Sequence, residues 1–592
     1  MRPLDLRTLR SILPPRMVGA LRRLRELGRR ARRLRFSGPR ARRRAALQEL
    51  QALPERPLIS LVMPTYRSNL KYLREAIDSV RGQLYPDWEL CIADDGSGRP
   101  ELESALAAYA RTDQRIRFRA VPENRGISAA TNEAMSMCRG EFVGFIDHDD
   151  TLTPDALLRF AQVLTADPEI DVVYSDQDKL TLHGIRADPF LKPDWSPVYA
   201  LGAMYIGHLL VVRRSVAEAA GGFDSAFDTI QDFEFMMRVS EQTDRIHHIP
   251  QILYHWRAIP GSIAAGTDQK SGVEELQARA VSEHLARIGV EARAVPHERI
   301  PHRAVLAPLN GNATAPRGRV SVVIDATRNR SGVRRTVESI LRRTSHPDYE
   351  VILAGADQSL DTEDARVRVV PDEGARLGRA RAHNVGAAAA EGVFLLFAGP
   401  DLEPVDADWL ELLVLHAAVP GVAAVGPMIA RPGGRVAQAG VAIGLKEPAM
   451  PMLAGLSADG DGYYGALPCS REVSALSGEC MLVRRADFEE AGGFNEMYSR
   501  EYEDFDLCRR LARRGRKAVY AARPTVVTHR TEADIRASID IVDRALFVDC
   551  WYDELKAGDP FFNPGFASQR ADYVPAGWRE KVYRAAAPLG IR

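Results

Sequence analysis

The sequence predicts an α/β protein of two tandem domains, each built around a mainly parallel sheet. Three observations lead to this prediction: short apolar stretches alternate with helical ones, acidic clusters follow the apolar stretches, and the whole pattern occurs twice. Strands alternating with helices are typical of parallel sheets, which bind ligands beyond the carboxyl ends of their strands. At 592 residues the chain is also too long for one ordinary domain.

The first copy of the pattern begins at residue 57 and contains five predicted strands. In chain order they are LISLVMP, WELCIADDGS, IRFRAVPEN, GEFVGFIDHDD and DVVYSDQD. The stretch LKYLREAIDSVRGQ, between the first two, has apolar residues at helical spacing. Because each acidic cluster comes directly after its strand, we expect the acids to line one edge of the sheet.

The same pattern starts again at residue 319. RVSVVIDATRN and YEVILAGADQS repeat the first two strands, and EGVFLLFAGPD repeats the strand that ends in acids. The likeness is closer in VVRRSVAEAAGGF (211–223) and LVRRADFEEAGGF (482–494), and in QDFEFMMRV (231–239) and EDFDLCRRL (503–511). A self-similar pattern of this kind indicates two copies of one domain.

The copies define the expected domain limits. A linker rich in Pro, Gly and Asn, APLNGNATAPRG, covers residues 307–318. We therefore expect domains at 57–306 and 319–545, a basic extension at 1–56 and a tail at 546–592.

The basic extension carries much of the chain's positive charge. Residues 1–44 hold sixteen arginines and no lysine against Asp5 and Glu26, so they carry about +14, although the whole chain has a net charge of zero. Apolar residues recur with rough helical periodicity among these arginines, at Met17, Leu21, Leu24, Leu27, Ala31 and Leu34. The pattern predicts a basic amphipathic helix on an anionic membrane surface, and a solvated disordered tail is the alternative.

Composition bounds the cellular setting. Apolar content of 45% and charged content of 27% are typical of a globular protein. The six cysteines show no CxxC spacing, which fits reduced thiols in the cytosol. The sequence has no uninterrupted apolar run of about 18 residues and no signal-peptide core. We expect a cytoplasmic protein, peripheral on the cytoplasmic face of the inner membrane.

The segment FIDHDD places Asp147, Asp149 and Asp150 directly after a buried strand. Carboxylates at the mouth of a cleft can hold a divalent cation, which in turn binds a diphosphate. They can also cap the helix predicted in DDTLTPDALLRF.

Further polar residues follow the neighbouring strands. Asp94 and Asp95 could accept an N–H from a nucleotide base, or could belong to an ordinary Asp-Gly turn. The segment NRGISAATN supplies Asn124, Arg125 and Asn132 at the start of a helix, which suits polar contacts with a nucleotide.

Asp232 and His255 each allow a structural and a functional interpretation. Asp232 lies at the predicted start of an amphipathic helix, where it could cap the helix or act as a general base. His255, in ILYHWR, could be a core histidine or a neutral ligand to the cation at Asp149; an imidazole among carboxylates suits Mn²⁺ at least as well as Mg²⁺.

The ordered set of motifs resembles a known enzyme family. PTYR, DDGS, NRGISAATN, DHDD, GGFD, QDFEF and YHWR occur in the order found in family 2 glycosyltransferases of the GT-A fold. YSDQDKL, FLKPDWSP, YIGHLLVVRR and the closing DPFFNPGFASQRADY resemble the tandem-domain members that build bacterial O-antigen or related surface polysaccharides. The resemblance covers residues 57 to about 575.

This resemblance implies inverting transfer from a nucleotide-diphosphate sugar. Asp232 would deprotonate the acceptor, and Asp149 with His255 would hold Mn²⁺ or Mg²⁺. The positions implied to contact the donor are Pro64, Thr65, Tyr66, Asp94, Asp95, Asn124, Arg125, Asn132 and Asp147. A single base opposite the leaving group also favours one displacement with inversion.

The second copy keeps part of this set. Asp504 stands at the base position, and Asp401 and His529 stand at the metal positions. Gly399 replaces Asp147, and Ala356 stands opposite Asp94.

Three functional hypotheses follow. Both copies transfer sugars; or only the first does, and the second binds an acceptor or a partner; or the basic extension binds nucleic acid and the body senses sugars. The extension has almost no aromatic residues for base stacking, so we expect no nucleic-acid partner. Nucleotidyltransferase chemistry would need a glycine-rich loop with a lysine, which LVMPTYRSN lacks. The expected acceptor is a growing surface polysaccharide or a lipid-linked glycan.

Overall fold

The structure, a computed structural model, describes residues 39–259, 272–309, 318–327, 329–356, 360, 362–371, 378–531 and 540–576. The predicted membrane-binding helix at 17–36 lies outside these residues, as does most of the predicted linker. Within the described ranges, no helix combines the length and the apolar character that a membrane crossing requires.

The first domain is a mixed sheet flanked by helices. Its strands are β1 (Ile59–Thr65), β2 (Trp88–Asp95), β3 (Ile116–Val121), β4 (Phe142–Phe145), β5 (Thr151–Leu152), β6 (Val172–Leu180), β7 (Arg186–Phe190), β8 (Leu210–Arg213) and β9 (Ile246–Arg257). They lie in the order β3-β2-β1-β4-β8-β6-β9-β5, with β7 beside β6. Strands β3, β2, β1 and β4 are parallel, and β8 runs antiparallel to β4.

Helices cover this sheet and a hairpin closes the domain. The helices are α1 (Pro39–Gln51), α2 (Leu70–Arg81), α3 (Pro100–Thr112), α4 (Ile127–Met135), α5 (Ala156–Ala166), α6 (Pro197–Gly202), α7 (Arg214–Ala219), α8 (Gln231–Ser240) and α9 (Val273–Arg287). The hairpin consists of β10 (Ala292–Pro296) and β11 (Ala304–Pro308).

Helix α2 shows how local sequence sets these elements. The Asn69 side chain caps the helix by accepting a hydrogen bond from the Lys71 backbone N–H. Leu73, Ile77 and Val80, at helical spacing, are buried against the sheet. Strand β1 is buried almost throughout, as expected for a central parallel strand covered on both faces.

The second domain repeats this architecture. Its strands are β12 (Val320–Asp325), β13 (Tyr349–Ala354), β14 (Val367–Val370), β15 (Phe394–Ala398), β16 (Leu402–Pro404), β17 (Val422–Arg431), β18 (Arg435–Gln438), β19 (Val441–Ile443), β20 (Ala449–Pro451), β21 (Arg471–Val473), β22 (Cys480–Arg484) and β23 (Lys517–Thr528). Their order, β14-β13-β12-β15-β22-β17-β23-β16, matches the first sheet strand for strand. The predicted tandem α/β architecture is therefore confirmed.

The helices of the second domain also correspond to those of the first. They are α10 (Arg330–Arg343), α11 (Arg379–Ala389), α12 (Trp409–Ala417), α13 (Arg485–Glu490) and α14 (Glu503–Ala512). Two more, α15 (Ile541–Cys550) and α16 (Tyr552–Ala557), follow the domain.

The helices and strands run across the expected domain limits. Helix α1 lies within the predicted basic extension, but Ala46 is buried in the core of the first domain and Glu49 pairs with Arg159 of α5. Strand β11 continues to Pro308, beyond the predicted end at 306. Helix α15 spans the limit predicted at 545. Composition shifts do not reveal such limits, because packing decides where a domain ends.

The two domains and the C-terminal segment contact one another directly. Phe190 stacks on Tyr464 of the second domain, with ring centroids 4.3 Å apart. Glu472 accepts a 3.1 Å hydrogen bond from the Val198 backbone. Asn563, from the C-terminal segment, donates to Asp176 of β6. Residues of the motifs YSDQDKL, FLKPDWSP and DPFFNPGFASQRADY therefore form part of this interface.

Candidate active site

The predicted acids meet at the carboxyl edge of the first sheet. The register pairs Thr65 at the end of β1 with Asp94 of β2. Strand β4, on the other side of β1, ends at Phe145, two residues before Asp147. The expectation from strand order therefore agrees with the structure.

Asp232 lies in a pocket at this edge. The pocket is bordered by Ile127 and Thr131 of α4, by Asp147 and His208, and by Asp232 itself near the start of α8. The Asp232 Oδ1 atom accepts a 2.8 Å hydrogen bond from the Phe233 backbone N–H. Burial raises the pKa of the Asp232 carboxyl, and the nearby His208 opposes this shift.

His208 is a site residue that the sequence interpretation missed. Its Nε2 lies 3.4 Å from Asp147 Oδ2, and its ring stacks on Tyr254 at 5.0 Å. Its Nδ1 is buried and has no hydrogen-bond partner in the described part of the chain. Burial lowers the pKa of His208, which favours the neutral ring. The only signal was its place in YIGHLLVVRR, which was noted for its family resemblance alone.

Asp150 anchors the acidic loop. It is fully buried, accepts a 2.5 Å hydrogen bond from the Tyr254 hydroxyl and accepts a 2.7 Å bond from the Arg257 backbone N–H. Its pKa is raised by burial and then by the charges of Asp147 and Asp149. Asp150 therefore has a structural role, and the other two acids remain at the surface of the cleft.

The two residues predicted to hold a cation in the first domain lie on neighbouring segments. The Asp149 carboxylate accepts no hydrogen bond within the described residues. Strand pairing sets His255 opposite Thr151, two residues beyond Asp149. The His255 Nδ1 is 2.5 Å from Asp178 Oδ1, which leaves Nε2 as the ligand atom. A carboxylate behind the second nitrogen is typical of metal-binding histidines. Among the described residues, however, no three His, Cys, Asp or Glu side chains converge on a preformed metal site.

Asp94 and Asp95 are engaged by the protein itself. Asp94 accepts hydrogen bonds from the Thr65 hydroxyl at 3.0 Å and the Ser97 hydroxyl at 2.5 Å. Asp95 accepts 2.9 Å bonds from the Asn124 amide and from the Arg125 backbone. Both acids therefore shape the cleft: Asp94 joins the ends of β1 and β2, and Asp95 fixes the loop before α4.

The other predicted donor contacts differ in accessibility. Pro64 borders the Asp232 pocket. Tyr66 is 41% exposed, and Asn124 and Arg125 are exposed as well. Asn132 points elsewhere: its amide donates to the Phe223 carbonyl at 2.8 Å and accepts from the Phe223 N–H at 2.9 Å. This clamp leaves Asn132 in a positioning role, away from the predicted contact with the donor.

The same clamp aligns the two domains residue by residue. Asn384 donates to the Phe494 carbonyl and accepts from its N–H, both at 2.9 Å. Asn384 is therefore the counterpart of Asn132. Counting back along the helix, Arg379 takes the place of Ile127, and His383 the place of Thr131.

In the second domain these two replacements fill the cleft. The Arg379 guanidinium pairs with Glu503 and lies 3.1 Å from Asp504 Oδ2. The same Asp504 oxygen accepts a 2.7 Å hydrogen bond from the Gly478 N–H. His383 is fully buried, and burial lowers its pKa to about 4. Asp504, predicted as a base, is thus ion-paired and only 2% exposed.

The two predicted metal ligands of the second domain differ in their surroundings. Asp401 accepts a 2.7 Å bond from Arg335 and a further bond from the Asn329 amide. The His529 backbone N–H donates to the Asp401 carbonyl at 3.0 Å, whereas its ring Nε2 is buried without a hydrogen-bond partner among the described residues, 3.5 Å from Glu403 Oε1. With Gly399 in the place of Asp147 and Asp401 paired with Arg335, the second cleft lacks the free carboxylates of the first.

Glu479 is a further difference between the clefts of the two domains. It occupies the position that His208 has in the first domain and pairs with Arg530. Arginine therefore balances the acids of the second cleft at three places.

Comparison with known proteins assigns the family. The model of glycosyl transferase family 2 matches residues 60–220 and 321–492. The chain belongs to glycosyl transferase family 2. The two matches fall on the two sheets, so the family's GT-A fold occurs twice in this chain. The resemblance to family 2 glycosyltransferases that the motifs indicate is thereby confirmed.

Two relatives that match most of this chain come from bacteria. The uncharacterized protein y4gI of Sinorhizobium fredii is 36% identical over 89% of this chain and 60% of its own length. The O-antigen biosynthesis protein RfbC of Myxococcus xanthus is 35% identical over 88% of this chain and 41% of its own length. The chain thus spans about half the length of these curated relatives. Staphylococcus aureus TarS 1–349, solved with UDP-GlcNAc, is 20% identical over 38% of this chain and 66% of its own, with a TM-score of 0.32.

Proposed function

We propose that the first domain transfers a sugar from a nucleotide-diphosphate donor to a glycan acceptor, with inversion at the anomeric carbon. The observation that carries this proposal is the pocket in which Asp232, Asp147 and His208 face one another. Asp232 supplies the base, and the neighbouring acids supply the negative charge that a cation-bound diphosphate needs.

The environment of Asp232 suits proton abstraction. Burial raises its pKa, which makes the ionised carboxylate a stronger base than that of an exposed aspartate. The Phe233 N–H fixes one carboxylate oxygen and leaves the other for an acceptor hydroxyl. Neutral His208, beside Asp147, can exchange hydrogen bonds with the donor or acceptor without adding charge.

The cation site would be formed by Asp149 and His255, with Asp147 close by. Asp178 orients the His255 ring on strand β9 through Nδ1, and Arg257 Nε donates to the Asp149 carbonyl at 2.6 Å, so a hydrogen bond holds each of the two positions. When bound, Mn²⁺ or Mg²⁺ would offset the charge on the departing diphosphate.

The second domain is proposed to be non-catalytic. Asp504 is ion-paired with Arg379 and accepts the Gly478 N–H, so its Oδ2 is already engaged, and Asp401 is already paired with Arg335. This arrangement favours the hypothesis of a single active domain over that of two. It leaves acceptor binding or partner binding for the second domain.

The acceptor is proposed to be a surface polysaccharide or a lipid-linked glycan. The relative named as an O-antigen biosynthesis protein supports this class of acceptor. The arginine-rich extension would hold the enzyme at the cytoplasmic membrane surface where such acceptors are made.

A ligand-binding experiment tests the donor class. Thermal unfolding of the full chain is measured with Mn²⁺ and, in turn, UDP-, GDP- and dTDP-sugars, because a ligand that binds only the folded state raises Tm. We expect one nucleotide class to raise Tm in the wild type and in Asp232→Asn, and to lose this effect in Asp149→Ala. Equal Tm values with every nucleotide sugar, and no transfer product, would contradict the proposal.

A further inference from the structure

A buried lysine underlies the segment that carries His208. Lys192 is fully buried. Four oxygens lie within hydrogen-bond distance of its Nζ, which has three N–H donors: the carbonyls of Ser175 at 2.6 Å, His208 at 2.8 Å and Ile206, and Gln177 Oε1 at 3.1 Å. Two of these acceptors are backbone carbonyls of residues 206–208, so the Lys192 side chain anchors the backbone of this segment.

Gln177 contacts both Lys192 and the segment that carries His208. Its Oε1 accepts a 3.0 Å hydrogen bond from the His208 N–H. Gly207 has a φ of +50°, and a Cβ at this position would lie 2.6 Å from Gln177 Oε1. Only glycine fits here without displacing Gln177. Lys192 and Gln177 therefore fix the backbone at His208.

The cost of burying Lys192 is offset by Asp176. Burial lowers the pKa of Lys192 to about 7, and the charge of Asp176 opposes this shift. Asp176 is itself fully buried and accepts bonds from the Lys192 backbone N–H at 2.8 Å and from His248 Nε2 at 2.9 Å. A buried carboxylate of this kind needs its hydrogen bonds, because leaving one unmade is costly.

The last donor to Asp176 comes from outside the first domain. Asn563 of the C-terminal segment donates from Nδ2 to Asp176 Oδ2 at 3.0 Å and to the Lys192 carbonyl at 2.9 Å. Asn563 is itself buried, and its Oδ1 accepts a 2.8 Å bond from the Gly565 N–H. A continuous set of hydrogen bonds thus joins the C-terminal segment to His208.

We propose that Asn563, through Asp176 and Lys192, is a positioning residue for His208, so that the C-terminal segment holds the first-domain cleft in its working geometry. The proposal rests on the proposed function only for the statement that this cleft performs the transfer. It gives the region beyond the second sheet a task in the first active site.

The isosteric variant Asn563→Asp tests the role of the Asn563 amide. It keeps an acceptor for the Gly565 N–H but removes the donor to Asp176 and to the Lys192 carbonyl, and it adds a like charge. The double variant Asp176→Asn/Asn563→Asp restores one donor and one carboxylate in exchanged positions. Tyr464→Phe is the matched control, because it removes a different interdomain bond, the 2.8 Å contact with the Asp188 carbonyl.

Hydrogen exchange of the full chain, followed by mass spectrometry without any substrate, is the measurement. For residues 203–210 we expect exchange about tenfold faster in Asn563→Asp, near wild-type rates in the double variant, and no change in Tyr464→Phe. With the donor identified by thermal unfolding, turnover is expected to fall in Asn563→Asp and to recover in the double variant. Because exchange needs no substrate, a failed transfer hypothesis leaves this readout intact.

Two outcomes would overturn the proposal. One is wild-type exchange at residues 203–210 in a folded Asn563→Asp protein. The other is a double variant that exchanges as fast as the single one. If Asn563→Asp does not fold, Asn563→Ser replaces it, because serine is too short to reach Asp176, adds no charge and can still accept from Gly565. Wild-type exchange in that variant also overturns the proposal.

Discussion

Arg379 lies 3.1 Å from Asp504 in the second domain, at the helix position where the first domain has Ile127 beside Asp232. This replacement brings an arginine to the candidate base of the second domain, where the first domain has an apolar side chain. Ile127 is 38% exposed and borders the cleft, whereas the carboxylates that Arg379 contacts are almost fully buried. One difference between the two copies therefore lies in a neighbour of the base and not in the base itself.

Introducing an arginine at position 127 is expected to inactivate the first domain. In Ile127→Arg, the new guanidinium would pair with Asp232 as Arg379 pairs with Asp504. A general base contributes about 10²–10⁴-fold, so turnover should fall at least about 100-fold. Steady-state transfer is the measurement, and Ile127→Leu is the control for loss of side-chain shape. Retention of turnover in Ile127→Arg, with Tm unchanged, would argue against Asp232 as the base.

The dependence of turnover on pH reports the state of Asp232. The base acts in its ionised form, and burial raises its pKa above the ordinary value of 3.8. As the pH falls, protonation therefore begins earlier than for an exposed aspartate, and kcat should decline at a higher pH than 3.8 predicts. A profile of kcat extended to a pH below 3.8 measures this acid limb. A limb at or below the ordinary value would mean that burial does not control the base.

Metal stoichiometry distinguishes the two clefts. Titration of the full chain with Mn²⁺ in the presence of the donor nucleotide should give one site per chain, because Asp401 is held by Arg335. Asp149→Asn should remove that site, and Asp401→Asn should leave it unchanged. Two sites of similar affinity, or loss of binding in Asp401→Asn, would show that the second domain also takes a cation.

The basic extension is tested by vesicle flotation. The full chain should float with vesicles of anionic lipid, since each arginine near such a surface contributes about 1 kcal/mol. A truncated protein beginning at Pro39 retains α1, which packs on the first domain, and should stay with the soluble fraction. Vesicles of neutral lipid are the control. Equal recovery of both proteins on anionic vesicles would exclude this role for residues 1–38.

Much of the fold could be predicted from the sequence because it depends on local patterns. Alternating strands and helices indicate a sheet with ligands at one edge, and the Asp94 and Asp147 clusters do lie at that edge. The repeat of GGF and DF motifs was enough to reveal two domains. What depends on packing was not visible, such as helix α1 joining the first core.

Residue roles were harder to predict than residue positions. An asparagine amide can bind either a donor nucleotide or a backbone. The residue type at position 132 therefore does not reveal that Asn132 binds the Phe223 backbone. Asp150 and Asp149 are neighbours, yet one is buried under Tyr254 and the other is not. Arg379 meets Asp504 across 125 residues of chain, a contact that only the fold creates.

A pair of conservative variants tests the central claim most directly. Asp232→Asn and Asp504→Asn each replace one candidate base with an amide of the same shape, and kcat is measured for both with the donor identified by thermal unfolding. The account predicts a fall of at least about 100-fold in Asp232→Asn and a turnover within about threefold of wild type in Asp504→Asn. Comparable losses in both variants, or two different truncated glycans, would contradict it and show that both domains transfer sugar.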